Sequence, residues 1–180
     1  MEDQEQIQDD QQRVSVKDAA VKYGLLLGVI LIIYGMILQF TDMSANKYLG
    51  YVNYVFAIAF IILAQNWYKQ NGDGYMKFGT GLGIGTLTSA IAAFISTVFS
   101  YVYIKFVDDS MLDMIRLMQE EELMKRGMSQ EQIDQALEMT GFMMKPEILM
   151  AMGFVAMVFF CFILSLLVTL FTKKEDTSQI

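Results

Sequence analysis

Four stretches of this sequence contain no Asp, Glu, Lys or Arg, and each is long enough to cross a lipid bilayer. They are residues 23–41, 48–68, 78–104 and 148–172, of 19, 21, 27 and 25 residues. A helix rises about 1.5 Å per residue, so roughly 20 residues cross a hydrocarbon core of about 30 Å. Only helices and closed barrels satisfy their own backbone groups in lipid, and none of the four runs alternates as a barrel strand does. The reading is an all-α fold, an integral membrane four-helix bundle with an extramembrane helical segment between spans three and four. The chain divides into a polar tail (1–22), a membrane domain (23–172) that includes the outer segment 107–147, and a C-terminal tail (173–180).

Charge is confined to the tails and loops. The 180 residues carry a net charge of −7 and no histidine, a balance that argues against a nucleic-acid partner. The lone Cys161 has no disulfide or metal-cage partner and reads as a small buried apolar residue. Residues 1–22 hold six acids against three bases. The first run is also longer than a signal-peptide core, so it reads as a retained span. Residues 1–16 read as disordered or as a frayed helix.

Lys and Arg near the span ends set the orientation. Lys17, Lys22, Lys69, Lys77, Lys173 and Lys174 fall on the side of the tails, and only Lys47, Lys105 and Lys145 lie close to the membrane on the other. Both termini are therefore expected in the cytoplasm. Segment 107–147 is expected outside, carrying ten acids and four bases. Two helices are legible in it. One runs from Ser110 to Arg126 with Met111, Met114, Ile115 and Met118 on one face, and Asp108 and Asp109 read as its cap. The other follows a Ser129–Gln132 capping box, with Ile133, Ala136, Leu137 and Thr140 on one side. Pro146 suits the first turn of span four.

Span three stands apart because Gly81, Gly85, Ser89, Ala93 and Thr97 recur every fourth residue. Span one repeats the spacing with Gly24 and Gly28. The glycine run lacks the strand and the lysine of a phosphate loop. Small-residue stripes let helix backbones approach where lipid supplies no hydrophobic drive, so these seven residues are expected to pack helices rather than to line a ligand groove, with spans one and three sharing one seam if the two stripes face each other. Leu82 and Ile84, off the stripe, are expected to meet lipid or loose side chains.

No cofactor, metal or catalytic residue is expected. The spans lack the ionisable groups that coupled carriers place in the membrane, and no nucleophile has a base beside it. Gln39, Gln65 and Asn66 read as polar residues at span ends. The Met-rich outer face reads as a packing surface rather than a Cu(I) site, there being no His and no nearby Cys. Two functional readings remain. One is a non-catalytic accessory or structural protein that meets a protein partner, or a second copy, through 107–147. The other is a small passive pore lined by Thr86, Ser89, Ser96 and Ser100.

The order of features resembles the four-span bacterial membrane proteins catalogued as domain of unknown function 4199. The resemblance rests on Tyr23-Gly24-Leu25-Leu26-Leu27-Gly28, on Tyr68-Lys69-Gln70-Asn71-Gly72-Asp73-Gly74-Tyr75-Met76-Lys77-Phe78-Gly79, and on the exit Tyr101-Val102-Tyr103-Ile104-Lys105-Phe106-Val107-Asp108. Asp109 stands where that family tends to have proline. The resemblance implies the four-span topology and a bacterial inner (plasma) membrane, and it carries no activity.

Overall fold

The computed structural model describes residues 14–41, 43, 44 and 46–174, and among them there are six helices and no strand. Four are long and apolar enough to cross a membrane: α1 (Val16–Phe40), α2 (Lys47–Asn71), α3 (Phe78–Phe106) and α6 (Pro146–Thr172). Between α3 and α6 lie α4 (Ser110–Lys125) and α5 (Gln130–Thr140). The architecture is the expected one, with longer helices.

The largest difference is at the start. Residues 1–13 lie outside the described residues, so the expectation of a disordered tail is not addressed there. From Val16 onward, however, the segment assigned to the tail is helical. A capping box explains the early start: Ser15 Oγ accepts the Lys17 N–H at 3.1 Å and Asp18 Oδ2 accepts the Ser15 N–H at 3.3 Å. Lys17 and Lys22 therefore sit on the helix rather than before it. Pro146 opens α6 as expected, and Ser129 and Gln132 form the second capping box.

The bundle is apolar outside as well as inside. Val29, Ile33, Val55, Phe94, Phe159 and Leu167 are exposed, as lipid-facing side chains should be. The core is small and comes in two patches. Leu27, Leu31, Ala57, Ala92 and Cys161 form one, and Ala19, Ala64, Met76 and Ile84 form the other. Cys161 is buried as expected. Ile84 is not where its position off the stripe suggested. It is wholly buried against α1 and α2 residues, because α3 is enclosed on more than one side.

α3 is the central helix, with its largest interfaces to α1 and α6. The two small-residue stripes do not face each other. Gly24 and Gly28 on α1 meet a second face of α3: a Cβ on Gly24 would lie 2.8 Å from both Ile91 Cβ and Thr88 O, and one on Gly28 3.3 Å from Ile95 Cβ. The α3 stripe turns toward α6 and α2. A Cβ on Gly81 would lie 2.6 Å from Thr169 Cγ2. One on Gly85 would collide with Ser165 Oγ and lie 2.9 Å from Ile61 Cγ2. Ser89 lies against Cys161, Ala93 is buried, and Thr97 is half-buried. The expectation of one shared seam is thus corrected to two seams on α3. A helix has several faces, and period-four spacing identifies a stripe without identifying its partner.

These clearances grade the glycines. Gly24→Ala and Gly85→Ala are expected to cost about 1–3 kcal/mol through overpacking. Gly28→Ala should cost less, because its neighbours need give only a few tenths of an ångström. Gly79→Ala, with no heavy atom within 4 Å, should be neutral. Melting temperatures in mild detergent check the order, and equal tolerance at Gly24, Gly85 and Gly79 would contradict the packing.

Candidate functional site

The most elaborate polar arrangement lies inside the bundle, on the side of the chain's two tails. It is centred on Gln65, which by its place in the sequence is expected at a span end. Gln65 is six residues from the end of α2, about 9 Å along the axis, and it is fully buried. Its Nε2 donates to Gly81 O at 2.9 Å and to Thr169 Oγ1 at 2.8 Å, and its Oε1 accepts from Thr172 Oγ1. One carboxamide therefore ties α2 to both α3 and α6. Gly81 has no side chain, which leaves its carbonyl open to the second bond.

The network continues along α6. Thr169 Oγ1 donates to Ser165 O at 2.6 Å, and Ser165 Oγ donates to Leu82 O at 3.2 Å. Lys69 Nζ caps the end of α6 by donating to Thr172 O at 2.9 Å, the favourable placement of a cation at a helix C-terminus. Just beyond, Met76 and Lys174 exchange both backbone hydrogen bonds, at 2.8 and 3.1 Å. The α2–α3 loop and the end of α6 are thereby sewn together. Lys22 Nζ lies 4.7 Å from the Trp67 ring centroid and Lys174 Nζ 5.5 Å from that of Tyr75, so lysines and aromatics share this rim.

The opposite end is held differently. Lys105 Nζ lies 3.2 Å from Glu147 Oε1, and Tyr101 OH bonds both, joining the end of α3 to the start of α6. The pair is exposed and contributes little. Gln39 Nε2 donates to Ser110 Oγ at 3.1 Å, and Ser44 Oγ meets Met114 Sδ at 3.7 Å. The Ser110 backbone N–H holds the Asp108 carboxyl below its ordinary pKa. Asp108 is therefore the acid that supports the start of α4, and Asp109 makes no cap bond.

Two cavities open between the helices at this end, of about 250 and 340 Å³. Both are lined by Leu31, Gly35, Gly50, Asn53 and Ser96. Of the hydroxyls proposed for a pore, Ser96 and Ser100 line this open space. Thr86 and Ser89 carry buried oxygens inside the packing instead. Asn53 and Gln65 both stand in charge-free runs. An amide inside such a run was the available signal, since side-chain amides bond across helices in membranes.

Chemically the Gln65 site is a clamp. Its members are an amide, three hydroxyls and backbone carbonyls, none of which titrates in the ordinary range. Among the described residues no three Cys, Asp or Glu come together as metal ligands would. Residues 22–174 match the model of the family described as Protein of unknown function (DUF4199). No curated protein and no solved structure matches the chain.

Interhelical hydrogen bonds in membranes are worth about 0.6 kcal/mol on average and up to about 1.7. Gln65→Leu removes three of them and is expected to cost about 2 kcal/mol, and no more because Thr169 and Thr172 still bond to their own helix. Gln65→Glu should cost more, and its cost should depend on pH. Burial favours the neutral acid and raises its folded pKa, so stability falls as pH rises above the ordinary Glu value of about 4.3. A flat pH profile of the Gln65→Glu melting temperature would mean that position 65 is solvated.

Proposed function

The chain belongs to the DUF4199 family, whose description assigns no activity, and from the geometry we propose that it is a non-catalytic accessory membrane protein that meets a protein partner through α4 and α5. The observation that carries the proposal is what these two helices leave uncovered. Leu117, Met124, Met139, Phe142 and Met143 are exposed, Met139 to 85%. Leu117 and Met124 lie on α4, Met139 on α5, and Phe142 and Met143 just after it, and apolar side chains left exposed outside the four spans are the kind of surface that a partner covers.

The presented residues differ from those first singled out. Met114 turns back to Ser44, and Met111 lines a cavity of the bundle. Ile115 and Met118 share a groove with Ala136, Leu137 and Thr140. Met114 and Ile115 of that face are thus half-buried within the chain, while Met111 and Met118 stay exposed. Exposed ion pairs, Glu121–Lys125 and Glu122–Arg126, keep α4 soluble beside its apolar surface.

A passive pore has less support. On the tail side the bundle axis is filled by the Gln65 clamp and by the contact of Gly85 with Ser165 and Ile61. The polar residues of α3 do not line one continuous path.

A photoreactive side chain introduced at Leu117 or Met139 should give a discrete protein adduct in native membranes, and Met139→Glu with Phe142→Glu should abolish it. Unchanged association after both substitutions would sink the proposal. We also propose that both tails face the cytoplasm, on the strength of the lysines at the Gln65 end. In a Cys161→Ser background, Gln130→Cys should react on intact cells with a membrane-impermeant thiol reagent while Asp73→Cys should not. The reverse pattern would invert the topology.

A further inference from the structure

Glycine in a membrane helix is ordinarily explained by what it touches. Gly24, Gly81 and Gly85 obey this: a Cβ on any of them would meet neighbouring atoms at less than 3 Å. Gly35 on α1, Gly50 on α2 and Gly153 on α6 do not. Each would meet no heavy atom within 4 Å, and all three line the cavities at the α4 end of the bundle. Close approach of helices does not account for them. They leave room.

The same cavities hold polar groups without partners. Asn53 lines both and Ser100 lines one; both are half-buried, and neither side chain has a hydrogen-bond partner among the described residues. Asn53 is six residues from the start of α2 and Ser100 six from the end of α3, so each lies about 9 Å inside its helix end. Gly35 and Gly153 fall at a similar depth. Both side chains reach the open space of the cavities, where lipid tails offer no hydrogen bond, so a polar group of a ligand is favoured there.

We propose that these cavities bind a neutral, hydroxyl-bearing, single-chain amphiphile. Its head would bond Asn53 and Ser100, and its chain would run past Gly35 and Gly153 to the apolar floor at Leu31, Ala57 and Cys161. The lining contains no Asp, Glu, Lys or Arg, so a charged head would be uncompensated. Size selects a single chain. At about 250 and 340 Å³, one cavity is just below and the other just within the size of ligand sites, and a helix about 10–12 Å across does not enter. Met111, on the second residue of α4, lines the same space, which sets the ligand directly beneath the extramembrane helices.

The test uses the full chain in phosphatidylcholine nanodiscs with a monoacylglycerol carrying a diazirine on its acyl chain. Photoadducts mapped by mass spectrometry should concentrate on the segments around Gly35, Asn53 and Met157. Excess monoolein should displace them, and oleate should do so less well. Gly35→Leu and Gly153→Leu fill open space, so they should keep the melting temperature and reduce adducts about tenfold. Adducts spread evenly over lipid-facing residues such as Val55, Phe94 and Phe171, or adducts indifferent to monoolein, would overturn the proposal and leave water or bulk lipid as the occupant. Should either variant fail to fold, the adduct distribution and competition on the unsubstituted chain decide alone.

Discussion

The close approach of α3 to two neighbours is the constraint on which the rest of this structure depends. Lipid tails are as apolar as leucine, so nothing analogous to water expulsion pushes these helices together. Dispersion contacts and a few hydrogen bonds must do it, and both fall steeply with distance. Gly24 lets Thr88 O and Ile91 come within contact of α1, and Gly85 lets Ser165 and Ile61 do the same from α6 and α2. With α3 held on these faces, Gly81 O lies within reach of Gln65, and the amide can close the clamp. The small residues come first in the chain of causes, and the hydrogen bonds are possible because of them.

That order also explains why the two ends of the bundle differ. On the tail side, small residues, the Gln65 network and the Met76–Lys174 bridge all act within a few turns of one another. At the α4 end the links include an exposed ion pair, single bonds from Gln39 and Ser44, and the bond that Tyr34 OH donates to Leu49 O, and Gly35, Gly50 and Gly153 there touch nothing. Space opens at the end where the helices are not drawn together by small residues, and α4 begins beside it.

The extramembrane helices follow a different physics. Water lies outside the bilayer, so α4 and α5 can bury Ile133 and share a groove in the ordinary hydrophobic way. What they cannot cover between them is the apolar surface at Leu117, Met139 and Phe142. A pair of short helices has too little interior to enclose every apolar side chain it carries.

The sequence by itself determined the four spans, because bilayer thickness and the exclusion of charge act on each helix alone. Capping chemistry, equally local, was legible at Ser129 and Pro146. The Ser15–Asp18 box is equally local, but it lies in a segment whose polar composition resembles that of a tail. The seven small residues Gly24, Gly28, Gly81, Gly85, Ser89, Ala93 and Thr97 could be found by spacing, since a stripe is a property of one helix. Which surface each meets was decided only by the tertiary structure. A helix presents a full circle of faces, and the rotation of α3 between α1 and α6 is fixed jointly by all its neighbours. For the same reason Ile84 proved buried, Gln65 became the centre of a clamp, and Gly35, Gly50 and Gly153 came to line a cavity. In each case the outcome depends on side chains from other helices that no single run of residues contains.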